Sequence, residues 1–328
     1  MTPLSPQSIF DTLSNSQSYQ DTMMKKFFGW LRAIVAILII TVNLVILPVL
    51  VIILAFFQKI MPVTSLKNIL YRTSHQLVPD IWVAINSFAM KVASSAPWEI
   101  IRKGELHRDG CYFLMCNHQS WLDILVLQRV FLGKIPMLKF FMKQNLLWSL
   151  PIGGLACYML DFPFMKRHSK EYLKKHPEQR DKDIETTRQS CEKYKDKPIA
   201  VINYLEGTRF TTEKHRARQS PYQNLLPPKA GGIALVLATM DQYIHQIIDT
   251  TIVYHTDKLS LWDFFCGRIK KITIQYEVLP VPKELLGDYY HDKEFRVAFQ
   301  QWLNQRWQQK DQLINEIREQ GSTTTQCQ

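Results

Sequence analysis

A chain of 328 residues, 46% hydrophobic and 21% charged, holds enough apolar material for one large core or two small ones, which excludes a largely disordered protein. Forty Lys and Arg against 29 Asp and Glu give a net charge of +11 and a pI of 9.3, so an anionic partner is implied: nucleic acid, an anionic membrane surface or a phosphorylated substrate. Six cysteines without disulfide-rich spacing exclude a disulfide scaffold and fit a reducing compartment.

Residues 1–24, rich in Ser, Gln, Thr and Asn, predict a disordered tail. Lys25, Lys26 and Arg32 then lead into an uncharged apolar run from Ala33 to Phe57. As a helix this run reaches roughly 37 Å, longer than a bilayer core of about 30 Å. It is too long for a signal peptide, and Leu54-Ala55-Phe56-Phe57 offers no small-x-small cleavage site. A membrane anchor is expected here rather than a buried core helix. Lys25, Lys26 and Arg32 before the run are balanced by Lys59, Lys67 and Arg72 after it, so the positive-inside rule gives no orientation. Pro48 predicts a kink. A kinked single span and a re-entrant hairpin both fit. The semi-apolar segment Pro79 to Trp98 reads as a helix lying at the interface or packed on the following domain. Residues 25–96 are therefore expected to form membrane-anchoring and interfacial helices.

From about Pro97 to residue 320, short apolar runs alternate with helical stretches, the pattern of an α/β domain. Cys111–Cys116 reads as a buried strand, Ser120–Val130 as a helix and Tyr158–Met165 as a strand. Asp183–Tyr194 reads as a polar helix, Ile199–Leu205 as a strand and Gly231–Met240 as a helix. Ile247–Tyr254 and Lys271–Leu279 read as strands, and His291–Glu319 as a terminal helix with Phe295, Phe299, Trp302, Leu303 and Trp307 on one side. Residues 321–328 read as a disordered tail.

Two segments carry chemistry. In Asn117-His118-Gln119-Ser120-Trp121-Leu122-Asp123 a strand ends, a loop presents His118, and a helix starts with Ser120 as N-cap. Asp123 then falls where its carboxylate can face back to the imidazole, fix its tautomer and make it a general base. The same letters also spell a plain capping box. Glu206-Gly207-Thr208-Arg209 follows the strand Ile199–Leu205. Its glycine lets backbone N–H groups approach an anion, Arg209 can grip a phosphate with two bonds, Thr208 adds a hydroxyl, and Glu206 orients Arg209 or braces the turn. A polar surface turn has the same composition. Lys166–Lys197 reads as a solvated, basic-leaning stretch. Lys214, His215, Arg216 and Arg218 suit either an acyl carrier's anionic groups or a surface loop. Cys111, Cys116 and His118 are not expected to bind zinc, since the two cysteines fall on opposite faces of the strand.

Taken together and in order, these segments resemble the glycerolipid acyltransferase family. Asn117 through Asp123 match its N-H-x-x-x-x-D block, Phe164-Met165-Lys166-Arg167 its F-I-x-R block with Met for Ile, Glu206 through Arg209 its E-G-T-R block, and Pro227-Pro228-Lys229-Ala230-Gly231 its P-x-K-x-G block. The stretch Glu206–His215 looks most like the branch with lysocardiolipin acyltransferases and a bacterial inner-membrane relative of the phosphatidate-forming enzyme. Thr251-Ile252-Val253-Tyr254 stands where many members have V-P-I-x-P. The resemblance implies a mixed sheet flanked by helices behind the N-terminal anchor, with residues 97–320 as the acyltransferase domain. It implies transfer of a fatty acyl group from acyl-CoA or acyl carrier protein to the sn-2 hydroxyl of a lysophospholipid, with 1-acyl-sn-glycerol-3-phosphate the leading acceptor and lysophosphatidylglycerol or lysocardiolipin alternatives. A hydrolase or transacylase is a second enzyme class open to the same residues. His118 is implied as base and Asp123 as its partner, with Arg167, Glu206, Gly207, Thr208, Arg209 and Lys229 at the acceptor phosphate. No metal, no cofactor and no nucleic-acid partner are expected. The implied location is the cytoplasmic face of a bacterial inner membrane.

Overall fold

The computed structural model describes residues 6–149, 151–165, 176, 178–195, 197–256 and 259–326. Helix α1 (Pro6–Ile60) takes in the apolar run, and its stretch Lys26–Ile60 is long and apolar enough to cross a membrane. It starts well inside the segment expected to be a loose tail. Once the apolar run has nucleated a helix, adding a residue at its end costs little, so Ser- and Gln-rich sequence follows into helix. The chain continues through Pro48 without reversing, which removes the re-entrant hairpin. Helix α2 (Thr64–Arg72) passes through a π-helical turn (Thr73–Leu77) into α3 (Val78–Ala93).

Along α1 the positions facing protein are Ala33, Ala36, Asn43, Pro48, Val51 and Ala55, at helical spacing. α3 lies against this stripe, and Asn43 Nδ2 donates to Asn86 Oδ1 (2.7 Å) and to the Trp82 carbonyl (3.0 Å). Small residues bring the helix backbones close, and the amide pair fixes their register. The outer face carries Ile34, Leu38, Leu44, Ile46, Ile53 and Phe56, all exposed.

Eight strands follow among the described residues. The main sheet has the order β1 (Trp98–Lys103), β8 (Ile272–Pro280), β7 (Gln246–Tyr254), β2 (Cys111–Cys116), β6 (Ile199–Tyr204), β3 (Leu138–Phe140). All neighbours are parallel except β7 and β8, so the sheet is mixed. The short strands β4 (Met142–Lys143) and β5 (Phe164–Met165) pair apart from it. Strand β2 is central and covered on both faces, which explains its unbroken apolar sequence. Its residues alternate between two cores. Tyr112, Leu114 and Cys116 join the side holding α3, α4 (Leu122–Phe131) and α1. Phe113 and Met115 join the opposite side. Each such side chain, wholly removed from water, contributes about 1.5–3 kcal/mol.

Between β4 and β5 run α5 (Leu146–Ser149) and α6 (Pro151–Met159). The region Tyr158–Met165, read from sequence as a strand, is instead the end of α6, a turn and the two residues of β5. Tyr158 and Met159 extend α6, which packs on α1. The second core is closed by α7 (Glu178–Cys191), α9 (Ala230–Met240) and α11 (Lys293–Gln326), with the short helices α8 (Thr212–Ala217) and α10 (Leu261–Phe265) in the connections. Helix α11 continues through Gly321 to Gln326, past the point where a frayed tail was expected. Its Phe299, Leu303 and Trp307 are buried, as their spacing predicts.

Candidate active site

Strands β2, β6 and β7 are parallel neighbours, so their C-terminal ends open on one edge, the usual crevice for ligands in an α/β sheet. The loop leaving β2 carries His118 and the loop leaving β6 carries Glu206–Arg209. Asn117 locks the first loop to β7: its Oδ1 accepts from Ile252 N (2.9 Å) and its Nδ2 donates to the Ile252 carbonyl (3.0 Å).

The Asp123 side chain is wholly buried. Its Oδ2 accepts from His118 Nδ1 (2.8 Å), Gln119 N (2.7 Å) and Ser120 N (3.0 Å), while Ser120 Oγ accepts from Leu122 N (3.2 Å). The capping box and the His–Asp pair are therefore one object: the carboxylate that closes the helix start also holds the imidazole. An ionised carboxylate only accepts, so Nδ1 carries the proton and Nε2 is left with a lone pair. The ring is 13% exposed and stacks on Tyr204 at 4.0 Å between centroids.

Glu206 is also fully buried, and its oxygens accept from two backbone donors, His118 N (2.8 Å) and Leu226 N (2.9 Å). It thus ties the loops after β2 and β6 together, and the alternative of orienting Arg209 is not what the fold does with it. Burial raises its pKa to about 7 against the opposing pull of those N–H groups. The Leu226 carbonyl takes Trp307 Nε1–H (2.9 Å), which links α11 to the loop at one remove from His118. Gly207 has φ +67, and a Cβ there would come within 3.1 Å of Lys229 Cδ, so this turn needs glycine. Lys229 itself is exposed beside it, with its backbone N donating to the Leu205 carbonyl (2.7 Å).

Arg209 is exposed, with its guanidinium 4.7 Å from the centre of the Trp121 ring. The Thr208 hydroxyl accepts from Lys214 Nζ (2.9 Å), which also donates to the Arg209 carbonyl (3.1 Å). The stretch after the Glu-Gly-Thr-Arg block is ordered as α8: Thr211 caps it, and Arg218 Nη1 donates to the Glu206 carbonyl (3.2 Å). The fold thus gathers His118, Asp123, Glu206, Gly207, Thr208, Arg209 and Lys229 on one edge. Arg167 lies outside the described residues.

Three aromatic groups escaped the sequence analysis. Tyr254 donates its hydroxyl to Asp123 Oδ1 (2.7 Å). Its burial and then the Asp123 charge push its pKa well up, so it stays a donor. It ends the strand that departs from the family's V-P-I-x-P pattern, and that departure was the available signal. Tyr204 ends β6 under His118, and Trp121 lies inside the Asn117–Asp123 block; neither spacing announces a ring contact.

Residues 99–255 match the family model described as Acyltransferase. No curated protein matches the chain. Among solved structures, the chain is similar to the 1-acyl-sn-glycerophosphate (LPA) acyltransferase PlsC from Thermotoga maritima, with a TM-score of 0.52 and 16% identity over 89% of this chain and 98% of that one. At that identity the likeness speaks for the fold, a helix-flanked mixed sheet behind an N-terminal apolar helix. The Acyltransferase match takes in strands β2, β6 and β7 with the His118 and Glu206 loops, and supports the resemblance to the glycerolipid acyltransferases read from the sequence.

Proposed function

We propose that this chain transfers a fatty acyl group from acyl-CoA or acyl carrier protein to the sn-2 hydroxyl of 1-acyl-sn-glycerol-3-phosphate, at a membrane surface. The observation that carries it is the His118–Asp123 pair set on the same sheet edge as the exposed Arg209. His118 Nε2 takes the proton of the acceptor hydroxyl as its oxygen attacks the thioester carbonyl. Asp123 stabilises the imidazolium that forms, and His118 returns the proton to the departing thiolate as the tetrahedral intermediate collapses. The acyl group passes directly to the lipid oxygen. Arg209, with Lys229 and Arg167, holds the acceptor phosphate and so favours a phosphate monoester. Gly207 and Thr208 shape the turn beside it. Helix α1 keeps the domain on the membrane, on the cytoplasmic face of a bacterial inner membrane.

An activity screen of the detergent-solubilised full chain tests this. It compares lysophosphatidate, lysophosphatidylglycerol and lysocardiolipin, each with acyl-CoA and with acyl carrier protein. Lysophosphatidate should give the highest kcat/KM. A faster lysophosphatidylglycerol or lysocardiolipin would move the proposal to that acceptor, and equal thiol release with and without lysolipid would replace it by a hydrolase.

A further inference from the structure

No charged residue occurs between Lys143 and Asp161, and the helices of this stretch, α5 and α6, are packed in reverse of the rule for a protein in water. The positions turned outward are Trp148 (80% exposed), Ile152, Leu155 and Tyr158. Those turned inward include the small Ala156, with Leu160 just beyond the helix. The spacing of 152, 155 and 158 makes one apolar helix face. An isolated apolar residue on a surface needs no explanation, but a whole helix face does.

The same inversion occurs in α1, and the two helices are neighbours. Val51, Val78, Leu160 and Phe162 form a small core with Leu47, Leu54 and Cys157 around it, so α6 runs beside the C-terminal third of α1. At the end of that contact Lys59 Nζ lies 5.3 Å from the centre of the Tyr158 ring. A basic group beside a tyrosine is the arrangement found at the headgroup level of membranes. The exposed apolar face of α6 thus lies beside α1, whose own outward face is apolar, with the lysine–tyrosine pair at the end of their contact.

We propose that α5 and α6 form a second membrane-inserting element, which sinks Trp148, Ile152 and Leu155 into the acyl region of the same bilayer that holds α1. This rests on the reading of α1 as a membrane helix. The element also lies close to the chemistry. β3 and β4 lead straight into it, and Phe140 at the end of β3 lies 6.2 Å from the Tyr204 ring that stacks on His118. A lysolipid leaving the bilayer along α6 therefore meets the catalytic edge with little exposure of its acyl chain to water.

Photolabelling of the full chain in phosphatidylglycerol–phosphatidylethanolamine vesicles tests this, with a diazirine placed mid-chain on a phospholipid. Trypsin then releases residues 33–59 and 144–166 as separate peptides, because neither holds an internal Lys or Arg. Both peptides should carry label, and excess lysophosphatidate should not remove it. Label on 33–59 alone overturns the inference and leaves the anchor standing. Label on neither overturns both. Label on 144–166 that lysophosphatidate competes away assigns the stretch to a substrate pocket and also overturns it. In addition, Ile152→Arg with Leu155→Arg should lower turnover of vesicle-borne lysolipid about tenfold or more, since charge enters lipid at a high cost. Turnover of a short-chain, water-dispersed lysolipid should be unchanged; an equal loss on both substrates points to misfolding and overturns the inference.

Discussion

In the sheet and the helices that cover it, the large side chains point inward: Tyr112, Phe113, Leu114, Leu122 and Trp307 are buried to within 2%. In α1 the order is turned round. Alanines 33, 36 and 55 face protein while Leu38, Ile46 and Phe56 face out. One chain therefore holds a part built for water and a part built for lipid. The difference teaches that burial is a statement about solvent. Where water is the surroundings, large apolar groups must hide; where lipid is, they gain nothing by hiding, and close backbone approach through small residues takes over. The catalytic edge belongs wholly to the first part, so chemistry and anchoring should be separable by mutation.

The largest separation is expected from His118→Ala. A positioned base contributes about 10² to 10⁴ in rate, so kcat should fall by that factor while the protein remains folded and membrane-bound. Asp123→Asn should be nearly as severe, because the amide can hold the ring in the wrong tautomer. It also removes the acceptor of the Gln119 and Ser120 N–H groups, for about 0.5–2 kcal/mol of stability. Melting curves beside activity separate the two causes. Near-normal turnover by His118→Ala would refute the mechanism.

The site's local parts were legible in sequence because they are local. His118 and Asp123 sit five positions apart on a loop and helix start, where spacing translates directly into distance, and Glu206–Arg209 is one continuous turn. What spacing cannot convey is contact across the sheet. Tyr254 meets Asp123 from 131 positions away, and Leu226, which gives its N–H to Glu206, also takes the Trp307 Nε1–H from α11. The α/β alternation was visible, and so was the two-sided burial of β2. Of Tyr158–Met165, read as a strand, only Phe164 and Met165 form one, since an apolar stretch fits both periods until a neighbour is known. Residues 6–24 were misread because composition reports solubility, while helix extension depends on what lies next in the chain.

The two parts should also answer differently to pH. No titratable group lies between Ala33 and Phe57, so the anchor adds no pH dependence there. Glu206 does. An ordinary glutamate titrates at 4.5, and buried Glu206 at about 7. Below pH 4.5 folded and unfolded chains both hold this proton. Between 4.5 and about 7 the folded chain retains a proton that the unfolded chain releases, so stability falls as pH rises; above about 7 the full loss, on the order of 3 kcal/mol, persists. Denaturation of the detergent-solubilised chain across this window should show the decline, and Glu206→Gln should flatten it. Persistence of the same slope in the variant would place its origin elsewhere.

Overpacking sharpens the comparison within the anchor itself. Ala36→Leu puts bulk into a contact that Ala makes close, and should cost about 1–3 kcal/mol in thermal or chemical melts. Leu38→Ala, only two positions away but on the outward face, should change stability by less than about 0.5 kcal/mol. In a water-soluble core the truncation would be the damaging change. If Leu38→Ala proves worse than Ala36→Leu, the outward face is not the lipid face.

The smallest effect tests whether the exposed side of the catalytic edge holds the acceptor. Arg209 lies over Trp121, so its guanidinium is steered before any ligand arrives, and two of its N–H groups can meet a phosphate in one plane. Arg209→Ala removes a charged hydrogen-bonding partner that grips acceptor and transition state alike. The expected result is therefore a rise in KM for lysophosphatidate of about tenfold, with kcat and the KM for the thioester little changed. Arg209→Lys should fall between wild type and alanine, since a lysine keeps the charge but loses the planar fork. Trp121→Ala should raise the same KM by less, because the charge stays and only its direction is freed. Steady-state kinetics with each substrate varied in turn decides the matter. An unchanged lysophosphatidate KM in Arg209→Ala would remove this residue from the phosphate site and leave Lys229 and Arg167 as its holders.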